Sequence, residues 1–400
     1  MGKANKIGTG GVVVLGMLIA AACSSSSGST TGNSGGGSSS KDSIVIGTSV
    51  SLTGKYASNG TNLVNGYKLA VAQINKNGGV LGRTLELKVQ DDQSDAGTVG
   101  RIYTKFLTSD KVDALVSPYG SALAGPAAQL ADRYKTPMAH SQTSSPNVFK
   151  GTKYNVLAGI APSSKVLSEV PAFAKANGYT KLTLVNNDLD AYSQICDGTA
   201  AAIPGSGTTL VSRVSYSEST SDFSSTALKI KQDNPDVVVE CSAIQDTIGL
   251  TRALNQQGFR PKVVISATSE DPTFAQALGS LANKAMGYSI YSPALDRPGA
   301  STFESDYQST YHTAANGQSA AAYATVQALA AAIAAAGSTD HDAVNEQLHT
   351  GSFQTIVGTY KVDSDGVQTG YEPVLDQYQN GKLELVWPQS SASKPVELPY

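Results

Sequence analysis

The sequence predicts an α/β protein built from two doubly wound lobes, in each of which helices cover both faces of a central sheet. Short apolar runs typical of buried strands alternate with segments of helical periodicity, and this alternation occurs in two successive series. Strand–helix alternation indicates right-handed crossovers and mainly parallel strands. The length of 400 residues and an apolar fraction of 40% are sufficient for two such domains.

The predicted strands fall into two groups with the same local pattern. In the first group they are residues 44–50, 85–91, 114–116 and 137–140. In the second group they are residues 181–185, 210–214, 237–239 and 263–265. Long helices are then predicted at residues 302–311 and 320–336. Short strands are also predicted at residues 374–378 and 383–386, and Asn380-Gly381 is a strong hairpin signal between them, because both residues tolerate positive φ angles.

The residues before position 43 predict a targeting signal followed by a tether. Lys3 and Lys6 precede a short apolar run that ends in small residues before Cys23, which is typical of a secretory signal peptide over residues 1–22. Cys23 resembles a lipidation site, although Ala20 stands where leucine is usual, and secretion without lipid is the alternative. The Ser/Gly-rich residues 23–42 predict a flexible tether that keeps the protein at a membrane.

Composition and motifs argue against several classes of protein. Charged residues make up 15% of the chain and the net charge is −3, so no nucleic-acid partner is expected. The three cysteines form no CxxC pair and the four histidines no HExxH motif, so no metal site is expected. The folded part has neither a nucleophile elbow nor a Walker loop, so no catalytic residue and no cofactor is predicted.

Several strings in the folded part carry a resemblance to a known family. They are Ser51-Leu52-Thr53-Gly54, Asn77-Gly78-Gly79-Val80-Leu81-Gly82, Asp91-Asp92-Gln93-Ser94-Asp95, Ser144-Ser145-Pro146 and Val386-Trp387-Pro388, together with Ser121 and Tyr192 after strands. In this order they resemble the branched-chain amino-acid-type solute-binding proteins of bacterial ABC transporters, which have the type I periplasmic-binding fold. The resemblance covers essentially the whole chain after the tether.

The resemblance implies a multi-strand hinge through which the chain passes near residues 160, 290 and 372. Lobe one is then expected to comprise residues 43–160 plus 290–372. Lobe two is expected to comprise residues 161–289 plus 373–390. Residues 391–400 remain as a C-terminal tail.

The resemblance also implies that a ligand lies in the cleft between the lobes, with Ser121 and Ala122 at a helix start on its edge. Helix starts offer unpaired N–H groups to a carboxylate, and a serine there is also an ordinary N-cap. Gln142, Thr143 and Ser144 match the family segment that meets the amino and carboxyl groups of the ligand. A plain polar turn is the alternative for that segment.

Aromatic residues are expected to complete the cleft. Tyr192 matches the lobe-two aromatic residue that closes over the ligand, and a half-buried structural tyrosine is the alternative. Tyr56 and Asn59 lie in the loop after the first predicted strand, where they can line a side-chain pocket.

An amino-acid ligand needs an anion for its ammonium group, and relatives carry one in lobe two. Glu270 is the first choice, with Asp271 and Asp246 as alternatives and an ordinary surface charge as the simplest explanation of each. Ala243 departs from the aromatic residue expected from the family. The ligand class therefore stays open between amino acids, amides and small carboxylates.

Cys196 and Cys241 are both expected near the cleft rim of lobe two, one just after a strand and one at the end of a neighbouring strand. Secretion into an oxidising compartment favours a disulfide between them. Two buried thiols are the alternative, since geometry decides the pairing.

Together, the leader and the resemblance imply an extracytoplasmic, lipid-anchored protein on the outer face of a bacterial cell membrane. It is expected to be a monomer that captures a small polar molecule by hinge closure, performs no chemistry on it and delivers it to an ABC permease. The alternative is a ligand-sensing lipoprotein that acts through a separate signalling partner, since one fold serves several functions.

Overall fold

Two large β-sheets organise the protein, as seen in a computed structural model that describes residues 43–400. The predicted signal peptide, the proposed lipidation site Cys23 and the predicted tether lie outside these residues. Strands alternate with helices along most of the described chain, which is the α/β architecture predicted from the sequence.

The first sheet contains five parallel strands. They are β1 (Ile44–Val50), β2 (Leu85–Asp91), β3 (Ala114–Val116), β4 (Met138–His140) and β5 (Asn155–Leu157), in the spatial order β2-β1-β3-β4-β5. The helices of this segment are α1 (Ala57–Lys76), α2 (Ala96–Lys105) and α3 (Gly120–Arg133). Helices cover the sheet, so β1 is almost entirely buried and its sequence is nearly continuous in apolar and small residues.

The chain then enters a second segment with the same alternation. Its helices are α4 (Ser163–Val166), α5 (Val170–Ala176), α6 (Asp190–Ala201), α7 (Ser224–Asp233), α8 (Ile244–Gln256) and α9 (Pro272–Leu278). Its strands are β6 (Lys181–Asn187), β7 (Thr209–Tyr216), β8 (Val237–Cys241), β9 (Val263–Ser266) and β10 (Met286–Ser289). These strands pair in parallel.

After β10 the chain returns to pack against the first sheet. This segment holds α10 (Ala300–Tyr311), α11 (Gly317–Ala336), α12 (His341–Thr350) and a small hairpin, β11 (Phe353–Thr355) and β12 (Gly358–Tyr360). Phe303 of α10 and Ile333 of α11 share one apolar cluster with Ile44 and Ile46 of β1. We call the first sheet with α1–α3 and α10–α12 lobe one.

A final crossing completes the second sheet. The antiparallel strands β13 (Val374–Gln379) and β14 (Lys382–Trp387) add to its edge, giving the order β14-β13-β10-β9-β8-β6-β7. The hairpin predicted at Asn380-Gly381 is confirmed, and φ is +53° at Asn380 and +80° at Gly381, as a tight turn between twisted strands requires. We call the second sheet with α4–α9 lobe two.

α11 forms the interior of lobe one. Among residues 43–400 it is the one helix that is long and apolar enough to cross a membrane by length and composition, and 72% of its most apolar stretch is buried inside the protein. The burial identifies it as a core helix. Gly66 lets α1 lie directly on α11, because a Cβ atom at this position would lie 2.2 Å from the carbonyl oxygen of Ser319.

The C-terminal residues lie along lobe two and bond to it. The Gln377 side chain donates to the Glu397 carbonyl oxygen at 2.9 Å and accepts from the Glu397 N–H at 2.8 Å. The Tyr400 hydroxyl donates to the Leu281 carbonyl oxygen at 2.7 Å. The bonds from Gln377 satisfy backbone groups of Glu397 that would otherwise need water, and the Tyr400 bond does the same for Leu281.

One acidic side chain is enclosed in the core of lobe two. Val237 and Val239 of β8 point into one apolar cluster, so Glu240 points to the opposite face of the sheet. Glu240 is 0% exposed, and neither of its carboxyl oxygens has a hydrogen-bond partner within the described part of the chain. Burial raises the pKa of Glu240 well above its usual range, so the folded protein holds it as a neutral acid.

Replacing this acid should change how stability depends on pH. In the unfolded chain Glu240 ionises near pH 4.5, so folding at higher pH must return a proton to it, and the free energy of unfolding falls as pH rises above that value. Glu240→Gln removes this dependence. The melting temperature of the variant relative to the parent should therefore rise between pH 5 and pH 8 by on the order of 2 °C or more.

Calorimetric scans across this pH range measure the effect, and Glu346→Gln, which neutralises an exposed acid on α12, is the control. Parallel pH profiles for Glu240→Gln and the parent would show that the buried carboxyl carries no linked proton.

Candidate functional site

A cavity of about 1100 Å³ lies between the two lobes. Loops that follow β1, β3 and β4 line it on lobe one, and loops that follow β6, β8 and β9 line it on lobe two. Parallel strands bring their carboxyl ends to one edge of a sheet, and ligands of such sheets bind beyond that edge. The cavity is therefore a candidate ligand site by its position in the fold.

Eight of the nine residues predicted for a ligand site line this cavity. They are Tyr56, Asn59, Ser121, Ala122, Gln142, Ser144, Tyr192 and Glu270. The first six belong to lobe one, and the last two belong to lobe two. A single bound molecule can therefore touch groups from both lobes.

Thr143 does not line the cavity, which corrects the prediction for this residue. It is fully buried, and its hydroxyl lies 3.1 Å from Nδ1 of His140. The Asn155 side chain holds the other ring nitrogen at 2.9 Å. Burial lowers the pKa of His140 to about 4, so the ring is neutral at neutral pH. Thr143 thus supports the loop that carries Gln142 and Ser144.

Ser121 stands in the first turn of α3, beside the cavity. Its Oγ accepts the N–H of Ser145 at 3.1 Å, which fixes the position of the oxygen and leaves the hydroxyl proton available to another acceptor. The N-cap residue Tyr119 makes no side-chain bond to the start of the helix. The first N–H groups of α3 therefore remain open to an anion, and the helix dipole favours negative charge there.

Four tyrosines give the cavity aromatic walls. Tyr56 and Tyr119 of lobe one lie with their ring centroids 5.3 Å apart, and Tyr192 and Tyr288 come from lobe two. Burial raises the pKa of Tyr119, Tyr192 and Tyr288 far above the usual range. All three phenols are therefore neutral at physiological pH and can both donate and accept hydrogen bonds.

Hydrogen bonding distinguishes the three candidate acids of lobe two. Asp246 accepts from the Asn187 side chain at 3.0 Å and from the Tyr216 hydroxyl at 3.2 Å. Asp271 accepts the N–H of Thr273 at 2.8 Å and so caps α9. No hydrogen bond to the Glu270 carboxylate is found within residues 43–400. Glu270 is thus the acid whose oxygens are open to a ligand.

The protonation of Glu270 follows from its surroundings. Burial, together with the nearby carboxylates of Asp376 and Asp271, raises the pKa of Glu270 to about 8. Without a bound cation, Glu270 is therefore mostly a neutral acid at pH 7. A cation beside it would favour the ionised form and lower this pKa.

Direct hydrogen bonds join the lobes at one side of the cavity. Asp190, at the start of α6, accepts from the Ser145 hydroxyl and from the Asn147 side chain, the latter at 3.0 and 3.1 Å. Gln194 donates to Asp190 at 2.9 Å. We call Ser145, Asn147, Asp190 and Gln194 the interlobe clasp. It connects the loop after β4 in lobe one to α6 in lobe two.

A disulfide lies beneath the lobe-two wall. Cys196 of α6 is bonded to Cys241 at the end of β8, with their Cα atoms 5.8 Å apart. α6 carries Tyr192, and Ala243 is the N-cap residue of α8 shortly after β8; both residues line the cavity. The covalent link therefore fixes the distance between two elements that shape the site.

Several lining residues were not predicted from the sequence: Tyr119, Asn187, Thr268, Tyr288 and Gln318. Tyr119 follows β3 directly, so its position beyond the carboxyl end of a strand was a usable signal. Tyr288 belongs to β10, a strand that the apolar pattern does not reveal. Gln318 lies in α11, far away along the chain, and only the return of the chain to lobe one brings it to the cavity.

The arrangement is suited to binding. It offers N–H donors and a hydroxyl at the start of α3, an open carboxyl at Glu270 and tyrosine rings between them. Among residues 43–400 no group of three or more His, Cys, Asp or Glu side chains could hold a metal ion.

Comparison with known proteins agrees with this architecture. Relatives include the Leu/Ile/Val-binding protein BraC3 of Rhizobium johnstonii, which is 26% identical over 345 residues and spans 85% of this chain and 93% of its own. The isoleucine complex of LivJ, the branched-chain amino acid transporter substrate binding protein of Streptococcus pneumoniae, superposes with a TM-score of 0.76 at 21% identity, covering 86% of this chain and 100% of that one.

A third comparison has a different ligand. A solute binding protein of an ABC transporter from Rhodopseudomonas palustris, solved with 3,4-dihydroxy benzoic acid, has a TM-score of 0.74 at 17% identity and covers 85% of this chain and 95% of that chain. These similarities confirm the type I periplasmic-binding fold.

The family itself follows from the chain as a whole. The model of a family described as periplasmic binding protein matches residues 43–372, which is most of the described chain. The resemblance drawn from short strings in the sequence is therefore confirmed. The chain belongs to the periplasmic binding protein family.

Proposed function

We propose that this protein is an extracytoplasmic solute-binding protein that captures an amino acid, or a related amide or carboxylate, and delivers it to an ABC importer. The observation that carries this proposal is the cavity lined by both lobes, which holds open groups for an anion at one point and a cation at another. The proposed lipid anchor at Cys23 would keep the protein beside its permease on the outer face of the membrane. The ligand is proposed to leave the cleft chemically unchanged.

The anionic end of the ligand would bind at the start of α3. The N–H groups around Gly120, Ser121 and Ala122 begin a 14-residue helix and need acceptors. A carboxylate supplies two such acceptors, and the Ser121 hydroxyl can donate a further hydrogen bond to it. The helix dipole adds a favourable contribution at the same point.

The cationic end would bind at Glu270. An ammonium group supplies a positive charge and hydrogen-bond donors. The Glu270 carboxyl accepts no hydrogen bond within residues 43–400, and the charged groups that shift its pKa are both acids. Such a ligand spans both lobes, because the start of α3 belongs to lobe one and Glu270 to lobe two.

The space between these ends would hold the remainder of the ligand. Tyrosine rings line it, and Ala243 leaves room where a larger side chain would reduce it. The named relatives bind branched-chain amino acids, and one structural neighbour holds a dihydroxybenzoic acid. We therefore propose a ligand with an apolar or aromatic middle and polar ends.

Closure of the hinge would trap this ligand. A ligand that contacts both lobes favours the closed arrangement only through contacts that the open arrangement lacks. The interlobe clasp supplies polar contacts between the lobes, and the hydrogen bonds from Asn147 to Asp190 are exposed enough to exchange with water. The closed protein is proposed to act as a monomer on its permease.

Ligand screening tests the proposal directly. Purified protein is screened by thermal shift against amino acids, amides, small carboxylates and aromatic acids, since a ligand that prefers the native state raises the melting temperature. Ser121→Ala and Tyr192→Ala are expected to weaken binding of the best compound about tenfold or more, because each removes a group that faces it.

Ser301→Ala, at an exposed position of α10, is the matched control and should bind as the parent does. Equal calorimetric affinity for all four proteins would reject these site assignments, and a screen in which no compound stabilises the protein would reject the function.

Proton release provides a second test of the Glu270 assignment. The pKa of Glu270 is raised to about 8 without ligand, so at pH 7 a bound ammonium group should displace about one proton as it favours the carboxylate. The release should vanish above pH 9, where the carboxyl is already ionised. The groups facing Glu270 are Asp271, Asp376 and Tyr288, and no cationic residue is among them.

Calorimetry of an amino-acid ligand in buffers with different ionisation enthalpies counts the released protons. Glu270→Gln should abolish the release. Binding heats that do not depend on the buffer at pH 7 would contradict the proposed contact between Glu270 and the ammonium group.

A further inference from the structure

A second cavity of about 180 Å³ adjoins the main one. We call it the annex, and its lining residues are Glu270, Pro272, Ser289, Tyr291, Ser292, Pro293, Ala315, Asn316, Gly317, Asp376, Leu383 and Leu385. Three of them, Glu270, Asn316 and Gly317, also line the main cavity. The annex therefore lies directly behind Glu270, between lobe two and the start of α11.

Asp376 supplies the annex with an unsatisfied carboxylate oxygen. Leu375, its neighbour on β13, packs into the lobe-two core, so Asp376 points to the other face of the strand. Asp376 is 2% exposed and lines the annex, and its Oδ1 has no hydrogen-bond partner within the described residues. A buried carboxyl oxygen without a partner is costly, so it marks a place where a donor is missing.

Glu270 lies at the boundary between the two cavities. A Cβ atom at Gly317 would lie 2.6 Å from its Oε2, so the carboxyl of Glu270 fits against this glycine at the N-terminus of α11. Its position lets it face a molecule in either cavity. Burial raises the pKa of Asp376 to about 7, and the proximity of Asp376 also raises that of Glu270.

The annex contains no compensating positive charge. Its lining includes two acids and no Lys, Arg or His. Other polar groups are already engaged, since the Ser289 hydroxyl donates to the Tyr291 carbonyl oxygen and the Tyr291 hydroxyl donates to Glu304 at 2.8 Å. The Asn316 side chain accepts the N–H of Ser319 and caps α11. None of these side chains donates a hydrogen bond to Asp376 within the described residues.

We propose that the annex binds an ammonium-type cation, either as the free ion or as the second, distal ammonium group of a ligand in the main cavity. An ammonium group carries one positive charge and several N–H donors, which suits the Glu270 carboxyl and the partnerless Oδ1 of Asp376. Ca²⁺ and Mg²⁺ usually take six or more oxygen ligands, and two carboxyls fall short of that number. The volume accommodates an ammonium group on a short methylene chain, since a water molecule occupies roughly 30 Å³.

The two sources of the cation call for two arms of one experiment. In the first arm, melting temperatures of the full chain are compared in ammonium chloride and in sodium chloride at equal ionic strength. In the second arm, calorimetry compares L-lysine with L-norleucine, which has the same carbon chain without the distal ammonium group. This second arm rests on the proposed function, whereas the first does not.

Three variants test whether an observed effect comes from the annex. Asp376→Asn keeps the shape of the side chain and removes its charge. Leu383→Lys, at a half-exposed annex position on β14, would supply an ammonium group from the protein itself. Glu346→Gln, at an exposed site on α12, removes one negative charge elsewhere and serves as the control.

A rise in melting temperature in ammonium chloride but not in sodium chloride would support binding of the free ion. Asp376→Asn and Leu383→Lys should both abolish this rise, and Glu346→Gln should retain it. Support for a ligand group would be binding of lysine about tenfold tighter than norleucine, with this ratio reduced to near one in the first two variants only. If Asp376→Asn does not fold, Leu383→Lys alone decides.

Failure of the inference is distinguishable from failure of the proposed function. Equal affinities for lysine and norleucine without an ammonium effect overturn the annex site and leave the function standing. An ammonium effect in a protein that binds no compound of the screen supports the annex and overturns the function. Preferences that persist in both Asp376→Asn and Leu383→Lys overturn the annex site as well.

Discussion

The parallel pairing of strands is the constraint on which the rest of the structure depends. In lobe one every strand of the large sheet runs in the same direction, and in lobe two the five strands β6–β10 do so. Parallel strands need crossovers, and the crossovers place the loops with free helix starts at one edge of each sheet. Because the chain passes repeatedly between the lobes, these two edges face each other. The cavity follows from this arrangement, and its chemistry follows from the residues in the loops.

Within the cavity, the distinction between satisfied and unsatisfied polar groups is more informative than the identity of the residues. Asp246, Asp271 and Glu270 are chemically alike and near in space, yet two of them already accept hydrogen bonds from the protein. Similarly, the oxygen of Ser121 is held by a backbone N–H while its proton is left to donate. A binding protein must keep some groups unsatisfied and rigid at once, since flexible groups lose entropy when a ligand orders them. Bonds from neighbouring residues supply that rigidity.

The sequence predicted the architecture and eight residues of the cavity lining, but it could not rank the candidate acids. Strong apolar runs such as Ile44-Val45-Ile46 and the Asn380-Gly381 turn predicted their elements correctly, because the local preference of these residues agrees with the structure that the fold requires of them. β5 and β10 were missed, since they have three and four residues and contain polar positions such as Asn155. The burial of Thr143 was not predicted, because it depends on the contact of its hydroxyl with the His140 ring, and only the packed structure brings these two groups together. Tertiary contacts, which no short string reveals, also engage Asp246 and Asp271 in hydrogen bonds, and so distinguish them from Glu270.

The bond between Cys196 and Cys241 gives lobe two a dependence on its surroundings that lobe one lacks within the described chain. It closes a loop with a sequence separation of 45 residues, and a crosslink of that span typically stabilises a fold by about 2–4 kcal/mol. A reducing cytoplasm would keep both sulfurs as thiols. Until the chain reaches an oxidising compartment, lobe two would therefore lack this covalent contribution to its stability, and α6 and β8, which carry the lobe-two wall of the cavity, would be held by packing alone.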